Sequence, residues 1–235
     1  NAKDSDGRTL LIHAAIAGRK EIADFLISKR ADINAIDNQG RSALIWAQMA
    51  SSRETVDLLV LKGANVNILG DTGMSLLMQA AAGGQTEFAK FLLSHGADVN
   101  MKNKVGNTAL TLAALYGKKE VADFLLSKGA NVNNKDKDNL TPLMFTLYHD
   151  HTDVAESLLS KGADINATNN AGATILIWVT KQHKKELVKF LLSKGADVSI
   201  KDKEGLTALD WAKKYNEVEI TQLLVNAAGK DKLNN

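Results

Sequence analysis

At 235 residues, with 45% hydrophobic and 24% charged residues, the chain has the composition of a folded domain and not of a disordered segment. A net charge of +2 excludes a broad field for nucleic acid or anionic membrane, and the lack of cysteine excludes disulfides and thiolate metal sites. No run approaches the roughly 18 apolar residues of a membrane helix, and no signal-peptide pattern opens the chain.

From the first residues onward a period of 33 organises everything. Gly7, Gly40, Gly73, Gly106, Gly172 and Gly205 share one register, with Asn139 in the remaining slot. Near the end of each unit a second register repeats, as in Gly63-Ala64-Asn65-Val66-Asn67 and Gly96-Ala97-Asp98-Val99-Asn100. Units this short cannot bury an apolar face alone, so they must stack. The expected units are 4–36, 37–69, 70–102, 103–135, 136–168, 169–201 and 202–229, one domain over 1–235 with a polar tail at 230–235. Asn1-Ala2 matches Asn34-Ala35 one period later, so the pattern is entered part-way through a unit and a longer parent is expected.

Within a unit the elements follow from local chemistry. Thr9, Ser42, Ser75, Thr108, Thr141, Thr174 and Thr207 each stand where a hydroxyl caps a first helix. In the fourth unit that helix is predicted over 109–116, with Leu110, Ala113 and Ala114 inward and Gly117 as its stop. A second helix is predicted over 118–128, with Val121, Phe124 and Leu125 as its buried stripe. Its first turn carries an acid in every unit (Glu21, Glu54, Glu87, Glu120, Asp153, Glu186, Glu219), which suits the positive end of a helix. Asn139 and Asp150 stand at places wanting a left-handed backbone, and Arg30 replaces the Gly that closes a second helix, which should cost some stability. Units five and six replace a small helix-one pair by Thr146-Leu147 and Val179-Thr180, bulk that should spread the stack locally.

The pattern resembles the ankyrin repeat, whose motif T-P-L-H-x-A is met most closely by Thr141-Pro142-Leu143-Met144. That resemblance implies an all-α solenoid of stacked helix-turn-helix units with extended, β-hairpin-like fingers. None of the seven units has the family's His at the fourth motif place, which holds Ile12, Ile45, Met78, Thr111, Met144, Ile177 and Asp210. Apolar packing is expected to replace the hydrogen bond that His makes.

Most would-be chemistry falls to scaffold duty. His149-Asp150-His151-Thr152-Asp153 offers imidazole and carboxylate groups, yet its register makes it helix-start material and not a metal site. Ser94, Ser127, Ser160 and Ser193 recur at helix ends, and no phosphate-binding glycine loop occurs. The lysines of 181–185, 189, 194, 213 and 214 are diluted by Glu186, Asp197, Glu204 and Asp210. No enzyme, cofactor or metal is expected.

What varies between units is free for recognition. The resemblance implies a concave groove lined by finger tips and first helices. One groove place reads His13, Trp46, Gln79, Leu112, Phe145, Trp178, Trp211, and it holds all three Trp of the chain. The predicted partner-binding residues are Trp46, Met74, Leu112, Tyr116, Leu140, Phe145, Tyr148, Trp178, Trp211 and Tyr215, centred on units four to seven. The alternative for these side chains is packing between units. The function expected is a non-catalytic, monomeric module binding another protein, without nucleic acid or membrane. Small-molecule or nucleotide-like binding between the aromatics, and a structural or designed scaffold, are the alternatives. No compartment is specified, beyond a lean toward the cytoplasm.

Overall fold

The computed structural model describes residues 1–70 and 72–231, with side chains to Gly229. Every predicted cap is made: the hydroxyls of Thr9, Ser42, Ser75, Thr108, Thr141, Thr174 and Thr207 each accept the backbone N–H three residues on, at 3.2–3.4 Å. These start the first helices α1 (Leu10–Ile16), α3 (Ala43–Met49), α5 (Leu76–Ala82), α7 (Ala109–Leu115), α9 (Pro142–Tyr148), α11 (Ile175–Lys181) and α13 (Ala208–Lys214). The second helices are α2 (Lys20–Ser28), α4 (Arg53–Leu61), α6 (Thr86–Ser94), α8 (Lys119–Ser127), α10 (Thr152–Ser160), α12 (Lys185–Ser193) and α14 (Val218–Asp231). The fold is an all-α repeat solenoid. Because α14 runs to Asp231, the first two residues of the expected tail continue a helix; 232–235 lie outside the described residues.

The fourth motif place is filled as expected. Ile12, Ile45, Met78, Met144 and Ile177 are buried. Thr111 and Asp210 instead return a side-chain acceptor to the cap N–H, closing a reciprocal capping box. In α8, Val121 and Leu125 are buried, but Phe124 is only half-buried, which corrects the expected stripe: the narrower seam of Val121, Ala122 and Leu125 faces the core. Asn139 and Asp150 do take positive φ (58° and 62°), and so does Arg30 (62°) in place of its Gly; Ser51, His183 and Asn216 do too, which was not anticipated.

Contacts group the chain into two units. One comprises 1–80 and 87–103, the other 81–86 and 104–235. In the first, α1 packs on α3 and on α2, and α4 packs on α2 and α3. The outer side of its first repeat carries exposed Leu10, Ile22 and Phe25 beside a cavity of about 270 Å³ lined by Leu11, Leu26 and Arg30. In the second unit, α7, α9, α11 and α13 form one row, with α8, α10, α12 and α14 behind it. Along that row α9 and α11 approach each other over a shorter stretch than α7 and α9 or α11 and α13. The bulky pairs Thr146-Leu147 and Val179-Thr180, all four fully buried, lie at that juncture and account for the spreading.

Between helix pairs the chain makes fingers, each closed by a backbone bond such as Asp37 N–H to the Arg41 carbonyl (3.0 Å) or Asp202 N–H to the Leu206 carbonyl (3.0 Å). Only isolated antiparallel bridges form within them, for example Ile36 with Ser42 and Thr168 with Thr174. In the second unit successive fingers are linked: Lys137 N–H reaches the Val105 carbonyl, Asn170 N–H that of Asp138, and Lys203 N–H that of Ala171, at 2.9–3.0 Å. Among the described residues no helix is long and apolar enough to cross a membrane.

Candidate partner-binding groove

The groove is built on the turn that opens each finger. At five of these turns an Asp or Asn side chain bends back so that Oδ1 accepts two backbone N–H groups, two and four residues on. Asp37 accepts from Gln39 and Arg41 (2.9 and 2.9 Å), Asp202 from Glu204 and Leu206 (3.0 and 3.1 Å), and Asn169 from Ala171 and Ala173 (2.9 and 3.1 Å). Asp4 and Asp136 do the same. Such turns are what Asx side chains do well, and either residue serves.

A carboxylate then has a second oxygen to spare. Asp37 Oδ2 accepts the indole N–H of Trp46 at 3.0 Å, nine residues on, and Asp202 Oδ2 accepts that of Trp211 at 2.7 Å over the same spacing. Asp4 Oδ2 meets His13 Nε2 at 2.7 Å in the first repeat. Burial would raise the carboxyls of Asp37 and Asp202, but the N–H donors and a nearby cation (Arg41 and Lys181) outweigh it, and both are held below the ordinary carboxylate range.

Trp178 is different. Nine residues before it stands Asn169, whose Oδ1 is occupied by the two backbone N–H groups. The remaining atom is an amino group, a donor, and cannot accept an indole N–H. The Asn169 side chain lies beside the Tyr148 hydroxyl and acts to lower its pKa, less strongly than burial raises it. Tyr148 lies against the Trp178 ring, with centroids 4.1 Å apart and planes tilted by 37°. Burial keeps the Tyr148 hydroxyl above the usual phenol value, so it stays neutral near pH 7. The Trp178 N–H has no acceptor among the described residues and is not shut off from solvent.

Cations cover the other two indoles. Arg8 and Arg41 lie 4.9 and 3.9 Å from the Trp46 ring centroid, and Lys181 and Lys214 lie 3.6 and 4.2 Å from that of Trp211. Lys184 sits 5.4 Å from Trp178, with its ammonium held by Asp150 at 2.7 and 2.8 Å.

The ten predicted binding residues therefore separate. Trp46 and Met74 belong to the first unit, and Trp46 is tethered and half-buried. Leu112 and Trp211 are buried, only 5% and 3% exposed. Tyr116 and Tyr215 are 52% and 39% exposed, and Leu140 and Phe145 are half-buried. Two aromatic pairs form: Tyr148 with Trp178, and Trp211 with Tyr215 at 5.5 Å, the latter also edge-on to His183 at 5.5 Å. Sequence reasoning missed Asp37, Asp202 and Asn169, and the cations over the indoles. The signal for the first three was present, as an Asp or Asn nine residues before each Trp. His149 and His151 stack at 6.3 Å, and Asp150 is engaged by Lys184.

A family model described as ankyrin repeats (3 copies) matches residues 1–70, 50–136, 77–169 and 143–235. The chain belongs to the ankyrin-repeat family. Ankyrin repeats are generally protein–protein interaction modules and are typically non-enzymatic. No curated protein matches this chain. In this ankyrin array the untethered indole falls in the sixth repeat, at the α9–α11 juncture where the first-helix row is spread.

Proposed function

We propose that the chain is a non-catalytic module that binds another protein through the groove of its second unit, with Tyr148 and Trp178 as the central anchors. The observation that carries this reading is the state of Trp178. Of the three Trp at one place in the repeat, it alone has neither an internal acceptor nor deep burial. A Trp–Tyr pair at a spread juncture offers a large apolar face with an unspent donor, which is the make-up of a binding hot spot. Half-buried Phe145 and Leu140 and the more exposed Tyr116 and Tyr215 are the further contacts of this reading.

Affinity capture from native lysate, followed by direct binding of the purified captured protein, tests it. Trp178→Ala is expected to leave the melting temperature nearly unchanged while weakening the partner by about 2 kcal/mol or more. Unchanged affinity with a sharply lowered melting temperature would make Trp178 a packing residue. Loss of binding to a small molecule alone, with no protein retained, would replace a protein partner by a small ligand.

A further inference from the structure

We infer that the partner supplies to Trp178 the carboxylate that Asp37 and Asp202 supply internally to Trp46 and Trp211, so the groove selects an extended peptide segment carrying Asp or Glu beside a large apolar residue. This rests on the groove reading above and adds the chemistry of the occupant. The repeat itself shows what satisfies an indole N–H at this place: a carboxylate oxygen at 2.7–3.0 Å, wherever the residue nine positions earlier is Asp. In the sixth repeat that oxygen is replaced by the amino group of Asn169. The donor is left without its usual partner and is not shut off from solvent.

Charge favours the same occupant. Lys181 follows Trp178 by one turn of α11 and has no ion pair within 4.0 Å among the described residues, its ammonium resting on the Trp211 ring. Lys214 also lies close to that ring, at 4.2 Å from its centroid, and 4.0 Å from Glu204. Asp202, whose carboxylate feels Lys181, is already spent on the Trp211 N–H and on the finger turn. An incoming acidic side chain meets an indole N–H and an unneutralised ammonium, whereas a basic one meets like charge. The apolar neighbour is taken by the Tyr148–Trp178 face.

The test is a variant that closes the site from within. Asn169→Asp keeps the turn, because Asp already performs it at 4, 37, 136 and 202, and it offers Trp178 the acceptor found in the second and seventh repeats. A random linear peptide display library is panned on the intact chain, and enriched peptides are synthesised with matched copies in which Glu or Asp becomes Gln or Asn. Affinities are read by fluorescence anisotropy for wild type, Asn169→Asp, Trp178→Phe and Trp178→Ala, with circular dichroism to check the fold.

The expected result is enrichment of an acid next to a large apolar residue. Asn169→Asp and Trp178→Phe should each weaken acidic peptides roughly ten- to a hundredfold, as for loss of a hydrogen bond to a charged group. The amide-matched peptides should bind the wild type that much more weakly and lose little further in either variant. Peptides that depend on Trp178→Ala but bind equally with acid or amide would overturn the carboxylate inference and leave the groove reading standing. No enrichment, or enrichment indifferent to Trp178→Ala, would remove both. A single-stranded oligonucleotide binding more tightly than any peptide, and weakened by Asn169→Asp, would overturn the peptide assignment in favour of phosphate.

Discussion

Replacing Asp202 by Asn exchanges one carboxylate oxygen for an amino group and leaves the side chain the same size. The finger turn should survive, because Asn169 makes the same two backbone contacts one repeat earlier, at 2.9 and 3.1 Å. What is lost is the 2.7 Å bond from the Trp211 indole and the attraction to Lys181. A hydrogen bond to a charged acceptor contributes about 1.5–3 kcal/mol, and the indole it leaves is 3% exposed, so water cannot take over freely. The cost of an orphaned donor is the same loss seen from the other partner and is not added again. The expected destabilisation is about 2 kcal/mol near pH 7. The sign of the pH dependence follows from the lowered carboxyl of Asp202: its contribution is complete above the unfolded value of about 3.9 and is lost as pH falls through the folded value. Urea titrations of wild type and variant, followed by circular dichroism from pH 7 down to 3, should show a gap that closes in acid. Equal stability at pH 7, or a gap that persists undiminished at pH 3, would refute the tether as a stabilising contact.

Leu125 is fully buried in α8, and Leu125→Ala should cost roughly 2–5 kcal/mol in denaturant titrations while sparing the groove aromatics. Gly117 has φ +62° and an added Cβ would lie 2.5 Å from His151 Nδ1, so Gly117→Ala should lower the melting temperature more than Gly129→Ala, which has φ +83° but open space. His151→Ala should recover part of the first loss and none of the second, and equal losses would mean the imidazole yields freely. Asp37→Asn should destabilise the first unit at neutral pH and lose that effect in acid, since the Asp37 carboxyl is also held low, and the Trp46 emission should report it.

The scaffold was legible because each of its requirements recurs every 33 residues. Seven hydroxyls stand where seven caps form, and the apolar replacements for His at the fourth motif place are buried as expected. The spreading at α9–α11 followed from Thr146-Leu147 and Val179-Thr180, since bulk at a helix contact sets how closely backbones approach. The groove was less legible. Periodicity placed all three Trp on one surface but could not tell which were covered, because the cover comes from long, flexible side chains such as Arg41, Lys181 and Lys214. Phe124 shows the same gap on a smaller scale, as a heptad-like stripe fixes a direction and not its width.

A residue's place in a repeat is therefore not enough to assign its work; the atom that meets its polar end decides. Trp46 and Trp211 donate to carboxylates and each has two cations close to its ring, so rings and N–H groups are both engaged within the fold. Trp178 has lost that oxygen to an amide, and Tyr148 lies against its ring. Withholding an internal bond of about 1.5–3 kcal/mol gives up stability at one repeat, which the packed helices on either side can carry. It also leaves a packed aromatic pair with an unpartnered donor open to solvent, so little ordering cost remains when an acceptor arrives. Giving up a local stabilising contact at the place where a partner binds is the pattern expected of a functional site in an otherwise consistent fold. Asn169, through the one oxygen it lacks, is thus the residue that separates the sixth repeat from the second and the seventh.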